Sequence, residues 1–454
     1  MNALSRREFL AATKRTTLGL AAGVMILENA GSVRGAPAAE KIVLAAVGVR
    51  GRGSNLAQGF LDRGDCEYAY IADVDSSLFE SRAKQIAERQ GRSPKCVQDF
   101  RKALDDKSVD AMIIATPDHW HAPAAVWSCQ AGKDVYVEKP ACHSCWEGRK
   151  MVEAARKYNR VVQVGTQNRS APYNMSAKKF LDEGKLGTIH FARIYNQKSW
   201  DNVPVVPDAP TPAGLDWDMF NGPAPEHAYN ANLHNYWNHQ WRYSGGDIAN
   251  DASHQIDLAR WLLGVDYPKA VYSTGGRFAD EGAAETPDTQ VAVYDFDKLV
   301  VTFELTLYTP YMIKADSVIR DGDLFPYWPQ NATRIEIYGT EGLMVAGRHG
   351  CGWQVFVRPK DRQPVVAAQA FGRFPDVPHK ENFVQCIRSR ALPNADIEQG
   401  HRSALWTHYA NISYRTGGRK LMIDPATEQI VGDDEAMKLF KRSYRRPWVI
   451  EDEV

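Results

Sequence analysis

Residues 41–164 predict an α/β fold built on a doubly wound parallel sheet, and three observations carry that expectation. Short apolar runs alternate with helix-like stretches, as strands covered on both faces require. The first run ends in a cluster of glycines that opens a helix, and the second ends in an acidic residue, Asp73.

Taken in order, Ile42 to Val47 is a continuous apolar run and reads as the first buried strand. Gly48-Val49-Arg50-Gly51-Arg52-Gly53 follows, and a helix can begin at Ser54. Tyr68 to Ala72 is the second strand, with helix-like sequence from Ser77 to Gln90. Val109 to Ala115 is the third, closed by Thr116-Pro117, and a helix from about His121 to Ala131 leads to the strand Val135 to Val137. Ser144-Cys145-Trp146-Glu147 has the form of a capping box, in which Ser and Glu satisfy free N–H groups at a helix start. Val161 to Val164 is one more strand. This βαβ rhythm is what a parallel sheet needs, because each crossover requires a helix.

The glycine turn implies a ligand. A tight strand-to-helix turn aims backbone N–H groups and a helix N-terminus at a pyrophosphate. The usual G-x-G-x-x-G reads here as Gly48, Arg50, Gly53, so the middle glycine is missing. Either Gly51 supplies the close approach, or Arg50 and its neighbour Arg52 fold over the phosphates. Asp73 stands where a carboxylate bonds ribose hydroxyls, and its charge repels a 2′-phosphate. NAD is therefore expected in preference to NADP.

The first residues read as an export signal. Ser5-Arg6-Arg7-Glu8-Phe9-Leu10 is a twin-arginine pattern, and Leu18 to Leu27 is an apolar run too short to span a membrane. Ala36-Pro37-Ala38 fits a cleavage site, giving a signal over 1–38 recognised by the twin-arginine machinery and a periplasmic or otherwise exported product. The whole chain balances 55 basic against 55 acidic residues. Removal of 1–38 takes Arg6, Arg7, Lys14, Arg15 and Arg34 against Glu8 and Glu28, and turns that balance mildly acidic. Such a charge argues against a nucleic-acid partner, and no later segment is apolar enough for a membrane anchor. Seven cysteines on 454 residues exclude a disulfide scaffold, and no metal site is expected: Cys142-His143-Ser144-Cys145 lacks a second Cys pair.

Further motifs carry a family likeness. Ala115-Thr116-Pro117-Asp118-His119-Trp120-His121 follows the third strand, Glu138-Lys139-Pro140 the fourth and Gly165-Thr166-Gln167-Asn168-Arg169 the fifth. Gly245-Gly246-Asp247 and the stretch from Asn250 through His254 to Asp257 lie further on. Together they resemble the glucose-fructose oxidoreductase / inositol dehydrogenase / rhizopine catabolism (Gfo/Idh/MocA) family, in its bacterial subgroup with an extended C-terminal region. The resemblance implies a Rossmann domain over 39–166. Over 167–454 it implies an α/β substrate domain with a large open, mostly antiparallel sheet and a C-terminal extension. It also implies a homo-oligomer. Lys139 is then expected beside the reacting carbon, His121 and Glu138 beside the cofactor, and His254 as the proton carrier.

On one continuous helix Asn250, His254 and Asp257 would share a face, with Asp257 orienting the imidazole. Asn250 departs from the family, whose dehydrogenases commonly carry Asp four residues before this His. Asp251 would point about 100° away around such a helix. The run Trp217, Tyr229, Tyr236, Trp237, Trp241, Tyr243, interleaved with Asn and His, reads as a sugar-stacking wall, or as packing between domains. Arg169, Tyr236, Trp237, Asn250 and Asp257 are thus the expected substrate contacts. Two hairpins are predicted, Val291–Phe296 with Val300–Leu307 and Arg334–Tyr338 with Leu343–Ala346, and Gln399 to Arg415 is helical.

The expected activity is NAD-dependent hydride transfer at a carbinol carbon of a sugar, polyol or glycoside. Lys139 polarises the oxygen and His254 handles its proton. Export favours a retained cofactor, because no nicotinamide pool lies outside the cytoplasm. A redox-assisted glycosidase or lyase, with transient oxidation and no net NADH, is the alternative. A non-catalytic nucleotide- or sugar-binding protein is the second.

Overall fold

The computed structural model describes residues 41–199 and 202–454. The expected export signal and cleavage site lie outside the described residues. The first sheet contains β1 (Ile42–Val47), β2 (Cys66–Ala72), β3 (Lys95–Val97), β4 (Ala111–Ile114), β5 (Asp134–Val137) and β6 (Val162–Val164). Its order is β3-β2-β1-β4-β5-β6 with every neighbour parallel, so the chain reverses direction across the sheet between β1 and β4. β1, β4, β5 and β6 are buried nearly throughout, which is why they read as unbroken apolar runs. β3 escapes that reading because two of its three residues are exposed.

The crossovers are α1 (Gly51–Leu61), α2 (Phe79–Gln90), α3 (His121–Gln130) and α4 (Cys145–Lys157). α1 begins three residues before the expected Ser54: the Arg50 carbonyl already accepts the Ser54 N–H at 2.8 Å. At α4, Ser144 accepts the Glu147 N–H at 3.4 Å and the Glu147 carboxylate takes the His143 N–H at 2.9 Å, so the cap spans 143–147.

The second sheet has ten strands: β7 (Ile189–Gln197), β8 (Ala270–Gly276), β9 (Thr289–Phe296), β10 (Leu299–Thr306), β11 (Arg334–Gly339), β12 (Leu343–Gly347), β13 (Trp353–Lys360), β14 (Gln363–Ala370), β15 (Leu421–Ile423) and β16 (Ile430–Val431). Only β7 and β10 pair in parallel; the other neighbours are antiparallel. β9 and β10 form the expected hairpin, with Phe296 opposite Leu299 across Asp297-Lys298, and β11 and β12 form the other. β9 and β10 alternate buried and more exposed positions, as a sheet packed on one face must.

The buried face packs against α5 (Pro172–Asp182), α7 (Ser253–Leu263) and α9 (Ile397–Arg415); α6 (Gly246–Asn250) precedes α7, and α8 (Asp376–Ser389) precedes α9. The chain then returns to the first sheet. Phe383 and Val384 of α8 join the core around β1 and Tyr136, while Ile397, Ala404, Trp448 and Ile450 join the core on its other face. No helix among the described residues is long and apolar enough to cross a membrane.

Candidate active site

A cleft of about 340 Å³ lies at the carboxyl ends of β1, β2 and β4, where an open parallel sheet reverses its order. The glycine turn from Gly48 to Gly53, Asp73 of the β2 end and Thr116-Pro117 of the β4 end form one wall. Phe220, His234, Asn235 and Trp237 form the other.

The turn tolerates no side chains at its ends. Gly48 has φ +79°, and a Cβ there would meet the Ala115 carbonyl oxygen at 2.6 Å. A Cβ on Gly53 would lie 1.8 Å from the Gly48 oxygen. At Gly51 a Cβ would meet nothing within 4 Å, so this residue keeps the cleft open beside the first turn of α1. No side chain caps that helix at Arg50, and its first N–H groups remain available to an anion. Thr116 Oγ1, also in the wall, is buried without a hydrogen-bond partner. These features fit the pyrophosphate of a dinucleotide.

Asp73 fits its ribose. One carboxylate oxygen accepts the Val49 N–H at 2.8 Å and the other the Asp75 N–H at 3.0 Å, which fixes the group at the cleft edge. Burial pushes its carboxyl above the usual range. Arg50 pairs with Asp75 at 2.7 Å and Arg52 with Glu138 at 2.7 Å and Asp376 at 2.8 Å. Both guanidiniums line the cleft, and Glu138 acts here through Arg52, tying β5 to α1. His121 bridges two loops instead of lining the cleft: its ring nitrogens lie 2.6 Å from the Pro140 oxygen and 2.9 Å from the Thr116 oxygen.

Lys139 follows β5 of the first sheet, and His254 comes from α7, which packs on the second. The Lys139 ammonium, at the end of β5, donates to the backbone carbonyl of Asn250. That bond ends α6 at Asn250, and α7 restarts at Ser253. The expected helix through Asn250, His254 and Asp257 is therefore corrected: Asn250 closes one helix while His254 and Asp257 belong to the next. The angular argument about Asp251 falls with it. His254 faces the charges of Arg348, Lys139 and Asp251. Burial first, then Arg348 and Lys139, hold its imidazole well below its ordinary pKa, so it stands neutral and able to accept a proton. Asp251 is held by Lys198 at 2.6 Å, Arg348 at 2.9 Å and Lys314 at 3.4 Å. These cations keep its carboxyl well below the usual range. Sequence reading missed this cluster because its members come from four separate segments.

Asp257 does not orient His254. It is fully buried, and both its oxygens accept from Arg169 Nε, at 2.9 and 2.8 Å, while one also accepts from Ser403 Oγ at 2.7 Å. Arg169 and Asp257, expected as substrate contacts, pair with each other inside the core and do not line the cleft, while Arg169 Nη2 is buried without a hydrogen-bond partner. Trp237 is also moved, from the expected sugar wall to the nucleotide cleft. Tyr236 is half-buried beside it and closes the short helix Ala231–Asn235. Of the other aromatics in the run, Trp217 and Tyr243 pack with Leu215, Phe220 and Leu233 into one small core, with Tyr229 against it. Asn250 donates its amide to Asp118 at 3.1 Å. Asp118 lay unremarked inside the quoted motif, and only its burial and partners single it out.

The family model described as "Oxidoreductase family, NAD-binding Rossmann fold" matches residues 43–166. The GFO/IDH/MocA C-terminal domain matches 219–345, and the oxidoreductase-family C-terminal alpha/beta domain matches 345–450. A levoglucosan dehydrogenase from Pseudarthrobacter phenanthrenivorans is 28% identical over 43% of this chain and 42% of its own length. An alpha-N-acetylgalactosaminidase from Shewanella oneidensis is 28% identical over 32% of this chain and 36% of its own. The chain spans less than two thirds of the length of the curated relatives it matches first, from 42% to 65%. The fold of a levoglucosan dehydrogenase solved with NADH and levoglucosan superposes with a TM-score of 0.63, at 20% identity over 83% of this chain and 98% of that one.

Proposed function

The chain belongs to the GFO/IDH/MocA oxidoreductase family, and on that premise we propose that it oxidises a sugar, polyol or glycoside at a carbinol carbon with NAD. The observation that carries the reading is the meeting of Lys139 and a neutral His254 at the Asn250–Asp251 bend, next to a cleft shaped for a dinucleotide. NAD supplies the hydride acceptor when bound. Gly48, Gly51 and Gly53 leave room for its phosphates, the α1 N-terminus receives their charge, and Asp73 receives ribose hydroxyls. The Lys139 ammonium donates to the substrate oxygen and steadies its charge as the C–H bond breaks. The His254 imidazole, uncharged and facing Lys139, is the group that takes the hydroxyl proton.

The test is NADH formation from levoglucosan, myo-inositol and D-glucose by the wild type and by Lys139→Ala. Loss of at least about 100-fold in kcat/KM is expected for the variant. Undiminished activity on every substrate would overturn the assignment.

The galactosaminidase relative favours a second reading, in which the oxidation is transient and a glycosidic bond is cleaved. Free sugar released from an aryl α-N-acetylgalactosaminide without net NADH would distinguish it. Residues 1–38 support export by the twin-arginine route with the cofactor loaded beforehand and retained. Native mass spectrometry of the secreted protein should then show bound nucleotide, and a competent, cofactor-free species would remove that part. Exposed Tyr272, Val291, Val300 and Met422 on the outer sheet face support a homo-oligomer, testable by light scattering.

A further inference from the structure

Asp118 immediately follows two residues of the cleft wall, Thr116 and Pro117, yet only 1% of it is exposed. One of its oxygens accepts from Ser244 Oγ at 2.5 Å, and the other from the Asn250 amide at 3.1 Å. Asn250 is thereby gripped twice. Its side-chain amide is held by a carboxylate from the first sheet, and its backbone carbonyl by the Lys139 ammonium. The charged or titratable groups facing Asp118 are Lys139 from the end of β5 and His121 from α3; Ser244 and Asn250 are neutral donors. A buried carboxylate is costly to keep without compensation. An amide at 118 would fill the same volume, so what Asp118 adds is charge and acceptor capacity beside Lys139.

We propose that Asp118 is a positioning residue of the hydride-transfer centre. Through Asn250 it holds the Lys139 ammonium against its carbonyl partner, and it supplies the negative charge that residue 250 does not carry. The inference rests on the roles assigned above to Lys139 and His254. Burial raises the Asp118 carboxyl while Lys139 and His121 oppose that rise, in keeping with a group whose charge depends on those neighbours.

The test compares wild type, Asp118→Asn and the exchanged pair Asp118→Asn/Asn250→Asp, on whichever sugar of the panel the wild type oxidises. Asp118→Asn should bind NADH normally in a fluorescence titration and lose about tenfold or more in kcat, with KM changed less than about threefold. The kcat–pH profile of Asp118→Asn should differ from that of the wild type, because one buried carboxylate beside the centre has been removed. The exchanged pair returns a carboxylate to the same hydrogen bond with its polarity reversed, and should recover most of the kcat and the original profile. Wild-type kcat and profile in Asp118→Asn would overturn the proposal, as would loss of kcat that the exchange fails to restore. If Asp118→Asn does not fold, the exchanged pair alone decides: it must fold and turn over. An inert Lys139→Ala beside an unaffected Asp118→Asn would sink this inference and leave the proposed function standing, whereas a fully active Lys139→Ala removes both.

Discussion

Replacing Asp257 with Asn separates structure from substrate contact at the most deeply buried ion pair near the site. Asp257 is wholly inaccessible and Arg169 is 4% exposed. Arg260 packs close by: burial and the like charge of Arg169 pull its guanidinium down to about 10, and Asp257 opposes that pull. The amide keeps the shape of the side chain and removes its charge, so two guanidiniums remain in the core with less to balance them. Breaking a buried pair by removing one partner costs about 3–5 kcal/mol. At about 2.1 cal/mol/K per residue, the roughly 410 described residues unfold with an entropy of about 0.9 kcal/mol/K. The thermal midpoint should therefore fall by about 3–6 °C, read by differential scanning calorimetry. Neither side chain lines the cleft, so kcat and KM measured well below that midpoint should stay within about twofold. An unchanged midpoint with lost activity would refute the reasoning and return Arg169 and Asp257 to the substrate.

Three further outcomes are expected. Gly53→Ala places a Cβ 1.8 Å from the Gly48 oxygen, so the turn must open, and NADH affinity should fall at least about tenfold by fluorescence titration; equal affinity would show that the turn does not hold the phosphates. Arg52 and Lys380 hold the Asp376 carboxyl down at about 2, a contribution of about 2 kcal/mol that is complete above its unfolded pKa near 4 and is lost as pH falls through about 2. In urea unfolding, the stability gap between wild type and Asp376→Asn should be full at pH 6 and closed at about pH 2, and a gap of constant size would exclude the linkage. Arg442 pairs with fully buried Glu147 at 2.5 Å and donates to the His119 carbonyl at 2.6 Å, so Arg442→Ala should cost about 3–5 kcal/mol and expose residues 440–454 to limited proteolysis; a resistant tail would assign that anchoring elsewhere.

Apart from the exposed β3, the strands of the first sheet were legible because they are shut off from water on both faces, which leaves apolar runs that no helix period explains. The β9–β10 and β11–β12 hairpins were legible because the turn between each pair is short. β7 was not: its sequence, Ile-His-Phe-Ala-Arg-Ile-Tyr-Asn-Gln, mixes polar and apolar residues, and its partners β10 and β11 lie over 100 residues away. β13 and β14 failed for a different reason, since much of β14 is exposed and carries little burial signal. Gly48 and Asp73 could be found because each stands at a strand end, where ligands bind in an open parallel sheet, whereas Lys139 was marked by the Glu138-Lys139-Pro140 motif and the family resemblance.

The helix drawn through Asn250, His254 and Asp257 failed for a reason that bears on the site itself. Nothing local forbids it: Asp251, Ala252 and Ser253 include no glycine or proline. In an unbroken helix the Asn250 carbonyl would accept the His254 N–H. Here it accepts the ammonium of Lys139, 111 residues earlier in the chain, and the His254 N–H turns instead to the Asp251 carbonyl at 3.4 Å. Three cations from three other segments then hold the Asp251 side chain in the bend. The contacts that defeat the periodicity are therefore those that assemble the centre. With the helix continuous, Lys139 would lose its acceptor and Asp251 would turn from His254, so the break belongs to the arrangement of the groups proposed to carry the chemistry.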